Sequence, residues 1–153
     1  MQQSFVIKIM VEIIKMEQSH KEETLQMMEV FYSSPAVFTN GSTEIFEADI
    51  NAAVGESPYL EGYIFKEESK VLGYAMLAKS FSTEFGKECI WIEDIYLKPE
   101  ARGRGIGKKF FEFLDKTYPN HLKRLEVEEE NETAYNLYKK CGFDVLPYVE
   151  MKK

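Results

Sequence analysis

The chain has 153 residues, of which 44% are hydrophobic and 14% aromatic, a composition that fits one globular domain over residues 1–153 with a single core. Its net charge of -7 argues against broad nucleic-acid binding, which depends on a basic surface that neutralises phosphates. The opening segment carries Lys8, Glu12 and Lys15, has no small-residue cleavage site and lacks a long uncharged apolar run. We therefore expect a cytoplasmic protein without a membrane segment.

The N-terminal third predicts one strand and two helices. The strand is expected over 11–16, after a few loosely anchored residues. The first helix is expected over 19–32, because Ser19 and Glu22 have the spacing of a capping box. A second helix is expected over 43–54.

The remaining elements alternate between strands and helices. In chain order they are strands over 59–67, 71–81 and 89–97, a helix over 106–117, a strand over 122–127, a helix over 132–140 and a strand over 143–151. Gly142 is expected to end the last helix as a left-handed cap, and Pro147 puts the last strand at an edge or in an irregular position. The order predicts a mixed α/β domain of the α+β class.

A glycine-rich loop, residues 102–108, joins the apolar strand over 89–97 to an amphipathic helix. Its members are Arg102, Gly103, Arg104, Gly105, Ile106, Gly107 and Lys108. The first N–H groups of a helix lack intrahelical partners and carry partial positive charge, so a phosphate is stabilised there. The glycines let a ligand approach the backbone, and the arginines and the lysine add full charges.

Two common phosphate loops do not fit this segment. A nucleoside-triphosphate loop ends in Gly-Lys-Ser/Thr, but here Gly107-Lys108 is followed by Lys109, which has no hydroxyl for magnesium. A dinucleotide loop has the spacing G-x-G-x-x-G, whereas the glycines here are Gly103, Gly105 and Gly107. Neither nucleotide class is therefore predicted.

The loop does match the pattern Arg/Gln-x-x-Gly-x-Gly/Ala, and at this point the chain resembles the GNAT acetyltransferases. A second match follows in the run Asn131, Ala134, Leu137, Tyr138, Gly142 and Phe143. Order and separation of the two segments also fit that family. The resemblance implies the GNAT fold, a mostly antiparallel central sheet of 6–7 strands flanked by about four helices.

The resemblance also implies acetyl-CoA as cofactor and a set of binding residues. Loop residues 102–108 would bind the pyrophosphate. Ile95 and Leu97 would present backbone groups to the acetyl and pantetheine parts, and Asn131 and Ala134 would contact the pantetheine. Tyr138 would lie beside the thioester sulfur as general acid, because a phenol stays protonated at pH 7. Its position in an apolar helical stripe also fits an ordinary core residue.

Glu93 is the candidate general base. It lies with Asp94 inside an otherwise apolar strand, where an unpaired charge is costly. Side chains alternate across a strand, so the two acids are expected to point to opposite faces. In diamine and polyamine acetyltransferases, a glutamate at this point lies near the substrate amine. The alternative is that both acids pair with Lys or Arg on neighbouring strands or at a dimer contact.

The resulting hypothesis is an acetyl-CoA-dependent N-acetyltransferase that acts by direct attack of a primary amine. The acidic pair favours a small amine such as a diamine, polyamine or amino-acid-like molecule, bound in a pocket lined by residues from 31 to 59. The alternatives are acetylation of a protein N-terminus or lysine, and a non-catalytic acyl-CoA-binding module. No metal site is predicted, because neither the cysteines, Cys89 and Cys141, nor the histidines, His20 and His121, have partners at ligand spacing. A homodimer is left open.

Overall fold

A computed structural model of the chain describes residues 10–153, and the first residues of the predicted loose start lie outside that range. Five strands and four helices follow one another: β1 (Val11–Lys15), α1 (Lys21–Tyr32), α2 (Thr43–Val54), β2 (Leu60–Glu67), β3 (Lys70–Ser82), β4 (Lys87–Leu97), α3 (Ile106–Thr117), β5 (Leu122–Leu125) and α4 (Glu132–Lys140). Single helical turns at Gln18–His20 and Pro99–Ala101 precede α1 and the glycine-rich loop.

The five strands form one sheet in sequence order. The three pairs from β1 to β4 are antiparallel, whereas β4 and β5 are parallel. A parallel pair needs a long crossover connection, and α3 supplies it. The predicted α+β class and the mostly antiparallel sheet are confirmed, with five strands among residues 10–153 instead of 6–7.

Helices cover both faces of the sheet and give it two apolar clusters. One cluster packs α3 on the sheet, with Phe65, Leu77, Ile90, Phe110 and Leu114 among its buried members. The other packs α1 and α2 on the opposite face, with Met28, Ile50, Ile64, Tyr74 and Met76 among its buried members. Side chains from α4 and from Ile95 and Leu97 border the α3 cluster.

Two local predictions were wrong. No strand forms over 143–151, where Pro147 lacks an N–H and Val149 and Met151 are 89% and 90% exposed, so the segment buries little apolar surface. The capping box lies two residues earlier than predicted, between Glu17 and His20. Gly142 does adopt a left-handed φ of 93° after α4, as predicted.

Candidate active site

A β-bulge interrupts β4 at Glu93. Asp94 pairs with Met76 and Ile92 pairs with Leu77, so Glu93 has no partner residue on β3. A bulge adds one residue to a strand and resets the side-chain alternation. Ile92 and Ile95 accordingly both contact the α3 cluster although they are three residues apart.

The bulge interrupts the side-chain alternation on which the prediction of opposite faces for the two acids depends. The carboxyl of Asp94 reaches the hydroxyl of Tyr32 on α1. Glu93 is near enough to Asp49 on α2 for that charge to act on its pKa. Asp94 is thus buried against α1, whereas Glu93 is exposed at the bulge, and their opposite facing stays a prediction.

The bulge also coincides with the point where β4 and β5 separate. Their pairing runs from Cys89 with Leu122 to Ile92 with Leu125, and no further pairs form along the described part of either strand. Glu93 follows Ile92 in β4, and Glu126 follows Leu125, the last residue of β5. Ile95 and Leu97 follow beyond the split and are half-buried.

Several carboxyl groups lie near the point where β4 and β5 separate. Loss of hydration, together with Glu150 and Asp49, raises the pKa of Glu93. Loss of hydration and the neighbouring carboxyls of Glu150 and Glu93 raise the pKa of Glu126 to about 7. Burial raises the pKa of Asp49 as well. The alternative prediction for Glu93 is an ion pair with Lys or Arg. Among residues 10–153, no ion pair includes Glu93.

Asp49, Glu126 and Glu150 were missed by sequence reasoning. Asp49 did carry a signal, because it stands three residues after Phe46 and one before Ile50, on the buried side of α2. Glu126 and Glu150 carry none, since their approach to Glu93 depends on the separation of two strands and on the path of the C-terminal segment.

The glycine-rich loop has the backbone that the sequence predicts. Gly103 and Gly105 have φ of 73° and 77°, the left-handed region that favours glycine. A Cβ added at either position would meet no atom within 4 Å, so the loop faces open space at the start of α3. Gly105 is the N-cap residue of α3, which begins at Ile106.

Gly107 has a different role from the other two glycines. It lies inside α3, and a Cβ there would approach the Leu137 side chain of α4 to 2.9 Å. Its lack of a side chain lets α3 and α4 pack closely. Close packing against α4 is thus a second reason for a glycine at position 107, and its predicted contact with a ligand stays a prediction.

The cations around the loop differ in their contacts. Nε of Arg102 donates to the carbonyl of Leu97 at 3.0 Å, and its guanidinium lies 5.8 Å from the centre of the Tyr96 ring. Arg104 forms an ion pair with Glu67. Lys108 is exposed. Several positive charges thus surround the N-terminus of α3, which adds to the attraction for a phosphate.

α4 stands against α3 and carries the predicted acid, Tyr138. Asn131 is its N-cap residue, and the side-chain oxygen accepts a hydrogen bond from the Ala134 N–H at 3.3 Å. The Tyr138 ring packs edge-on against Phe111, with ring centres 5.6 Å apart. Burial and the nearby Cys141 raise the pKa of Tyr138, which keeps the phenol protonated at neutral pH.

Three of the predicted cofactor residues lie beside one apolar cluster. Ile95, Leu97 and Tyr138 all border the α3 cluster, and the glycine-rich loop starts α3. The predicted base, Glu93, lies at the bulge, just beyond the point where the pairing of β4 with β5 ends. Such an arrangement can bind an anionic chain along α3 and a cation near Glu93.

Two features are absent from residues 10–153, the part of the chain that the structure describes. None of the helices there is both long and apolar enough to cross a bilayer. No group of three or more His, Cys, Asp or Glu side chains in that range has the arrangement of a metal site.

Residues 23–143 match the family model described as the acetyltransferase (GNAT) family. Among curated relatives, a thialysine N-epsilon-acetyltransferase of Bos taurus is 41% identical over 52% of this chain and 48% of its own length. The peptidyl-lysine N-acetyltransferase YiaC of Escherichia coli (strain K12) is 28% identical over 56% of this chain and 51% of its own. The chain thus spans about half the length of these relatives.

A solved structure extends the similarity to nearly the whole fold. The aminoglycoside N-acetyltransferase AAC(6')-Iy, determined in complex with CoA, superposes with a TM-score of 0.76 and covers 95% of each chain at 15% identity.

Proposed function

Since the chain belongs to the GNAT acetyltransferase family, we propose that it is an acetyl-CoA-dependent N-acetyltransferase that acts on the primary amine of a small cationic molecule. Candidate acceptors are diamines, polyamines and amino-acid-like amines. One observation carries the proposal: the open, positively charged loop at the N-terminus of α3 follows a strand whose bulge carries Glu93, which has other carboxyls near it.

The residues around the loop suit the cofactor. The open space above Gly103 and Gly105 admits a pyrophosphate to the backbone N–H groups of the loop, and Arg102, Arg104 and Lys108 neutralise its charge. Ile95 and Leu97 offer backbone groups to the acetyl and pantetheine parts, and Asn131 and Ala134 contact the pantetheine from α4. Acetyl-CoA supplies the acetyl group as an activated thioester.

Two side chains handle the protons of the transfer. An alkylammonium with a pKa of about 10 must lose a proton before its nitrogen can form the new C–N bond. Glu93 accepts that proton, directly or through water, and its raised pKa makes it a better base than an ordinary glutamate. As the C–S bond breaks, the Tyr138 phenol gives its proton to the departing thiolate. The amine attacks directly, without a covalent enzyme intermediate.

The acidic cluster favours a small cationic acceptor. Besides loss of hydration, the charges of Glu150 and Asp49 raise the pKa of Glu93, and Glu150 and Glu93 raise the pKa of Glu126, so these acids lie near Glu93. An amine with a second positive charge relieves this repulsion when it binds. A peptide lysine brings one positive charge and needs an open groove beside it.

The direct test is release of free CoA thiol over a panel of amines that includes putrescine, spermidine, free amino acids and lysine peptides. We expect higher kcat/KM for the di- and polyamines than for the peptides. Preference for peptides would identify a protein lysine acetyltransferase instead. Binding of acetyl-CoA without release of CoA for any amine would identify a non-catalytic module.

Tyr138→Phe tests the general acid. The variant is expected to lower kcat about a hundredfold, the usual contribution of such a group, while the dissociation constant of acetyl-CoA stays within about twofold because the ring remains. Tyr135→Phe is the matched control, since Tyr135 lies on the same helix and is 37% exposed. Equal kcat in wild type and Tyr138→Phe would remove Tyr138 from the mechanism.

Glu93→Gln tests the base. We expect kcat to fall and its acidic limb to shift, because the group that must be deprotonated is gone. Glu88→Gln is the control, since Glu88 lies on the same strand before the bulge and has a 72% exposed side chain. An unchanged pH profile would assign Glu93 a structural role.

Cytoplasmic location and a homodimer belong to the same proposal. The exposed apolar side chains of the C-terminal segment, including Val149 and Met151, offer a surface for a second copy. Cell fractionation tests the location, and sedimentation equilibrium tests the dimer.

A further inference from the structure

Asp94 has a buried carboxyl group, and within residues 10–153 its side-chain hydrogen bonds come from two tyrosines. Its residue surface is 3% exposed. The Tyr32 hydroxyl donates to Oδ1 at 2.7 Å, and the Tyr74 hydroxyl donates to Oδ2 at 2.9 Å. Among the described residues, no Lys, Arg or His lies within ion-pair distance of it.

The two tyrosines come from different parts of the fold. Tyr32 is the last residue of α1, and Tyr74 lies in the middle of β3. The Tyr32 ring also packs against Phe46 of α2, with ring centres 5.0 Å apart. Asp94 directly follows the bulge in β4. Its hydrogen bond with Tyr32 therefore connects the bulge to the end of α1 and, through the Tyr32 ring, to α2.

Stability alone does not account for this acid. An ionised carboxylate without a cation is costly in the core. Burial raises the pKa of Asp94 to about 6 against the opposing hydrogen bonds from Tyr32 and Tyr74, so the fold resists its ionisation. A neutral side chain of the same size would fill the position at lower cost.

We propose that Asp94 is a positioning residue: held by Tyr32 and Tyr74, it fixes the β4 bulge against α1 and α2 and so sets Glu93 relative to the acceptor amine. This inference rests on the proposed function for Glu93. It assigns Asp94, Tyr32 and Tyr74 to the amine side of the reaction, apart from the cofactor residues that border α3.

Asp94→Asn is the first test, because the amide keeps the shape and removes the charge. We expect kcat/KM for the preferred amine to fall about tenfold or more, since small displacements of a positioned group are costly, with the KM of acetyl-CoA within about twofold. The midpoint of urea unfolding at pH 7 is expected to be no lower than in wild type. Unchanged amine kinetics, or a parallel rise in the KM of acetyl-CoA, would overturn the proposal.

Tyr32→Phe keeps the charge and breaks the link to α1. It is expected to lower kcat/KM for the amine, and the double variant with Asp94→Asn should be no worse than Asp94→Asn alone, because both remove one connection. Additive losses would overturn the proposal. Glu61→Gln is the control, since Glu61 also accepts tyrosine hydrogen bonds but lies on β2, away from the bulge.

A readout without turnover separates this inference from the proposed function. The pKa of the Glu93 carboxyl, followed by NMR of its side-chain carbon, is expected to move in Tyr32→Phe and to stay unchanged in Tyr118→Phe. An unmoved Glu93 pKa would overturn the positioning role even in an enzyme that releases CoA. A moved pKa in a protein that acetylates no amine would support the link while the proposed function failed.

Discussion

Glu61 and Asp94 lie on the same sheet, and each accepts hydrogen bonds from two tyrosine hydroxyls, but only one has cations. Tyr63 donates to Glu61 at 3.0 Å, Tyr118 donates to the same oxygen, and Lys15 and Lys79 form ion pairs with the carboxylate. Asp94 has its two tyrosines and no cation among the described residues. The two sites differ in charge balance and also in burial, since Asp94 is buried and Glu61 is half-buried.

Their pKa values differ in opposite directions. Burial tends to raise the pKa of Glu61, but hydrogen bonds from Lys79, Tyr118 and Lys15 outweigh it and lower the pKa from 4.5 to about 2. Burial dominates at Asp94 and raises the pKa from 3.8 to about 6. Glu61 therefore stabilises the fold above pH 4.5 and loses that effect toward pH 2. The contribution of Asp94 is complete below pH 3.8 and is lost as the pH rises through about 6.

Because their pKa values shift in opposite directions, the two carboxyl groups have different effects on the stability of the fold. Glu61 joins β1, β2, β3 and the end of α3 by charge pairing, which stabilises the fold at neutral pH. Asp94 opposes folding at neutral pH when it is ionised, and it lies beside the bulge that carries Glu93. The predictions below test whether cations alone make the difference.

The largest effect is expected when Glu61 loses its cations. The double variant Lys15→Met, Lys79→Met leaves a half-buried carboxylate with tyrosines only, as at Asp94. We expect the free energy of unfolding at pH 7 to fall by about 3 kcal/mol, near the lower limit for breaking a buried pair because the lysines are partly exposed. Urea unfolding at pH 7 and pH 4 measures the loss, which should be smaller at pH 4.

Lys70→Met is the control for that variant. Lys70 pairs with Glu100 at 3.6 Å, and both side chains are at least half exposed, so no measurable change is expected. A double variant as stable as wild type would show that the tyrosines hold Glu61 without the lysines.

The elements themselves were largely predictable from sequence. α2, α3 and α4 have the predicted bounds, because apolar residues recur at helical spacing. Glycines stand at one end of each helix: Gly55 is the C-cap of α2, Gly105 is the N-cap of α3, and Gly142 follows the C-cap of α4. The glycine-rich loop was predictable for the same reason. The last strand was not, because an apolar composition over 143–151 does not show whether a partner edge is available.

The acid side of the site was only partly predictable. Glu93 and Asp94 stood out as charges in an apolar strand, but the bulge at Glu93 depends on the register with β3, which the strand sequence does not show. The contact of Tyr32 with Asp94 joins residues 62 positions apart, and no local pattern indicates it. The roles of Tyr138, Glu93 and the cofactor residues remain predictions.

A smaller effect is expected from Asp94→Asn on the pH dependence of stability. Wild type should lose about 2 kcal/mol between pH 4 and pH 7 from this group, because its pKa is raised by about two units on folding. The variant should lack this loss, whereas Glu61→Gln should keep it and lack the decline below pH 4.5. Thermal unfolding at half-unit pH steps measures both. Parallel curves for Asp94→Asn and wild type would contradict the raised pKa.

The smallest effect separates the two tyrosine pairs. Tyr74→Phe removes one of two donors from Asp94, and the loss should be about 1 kcal/mol at pH 7, where the carboxylate is ionised, and less at pH 5. Tyr63→Phe leaves Glu61 with both lysines and Tyr118, so its loss should be below about 0.5 kcal/mol at either pH. Urea unfolding of the two variants at both pH values makes the comparison. Equal losses would mean that a phenol contributes the same stability with or without a cation at the carboxylate, and the distinction between the two sites would then depend on burial alone.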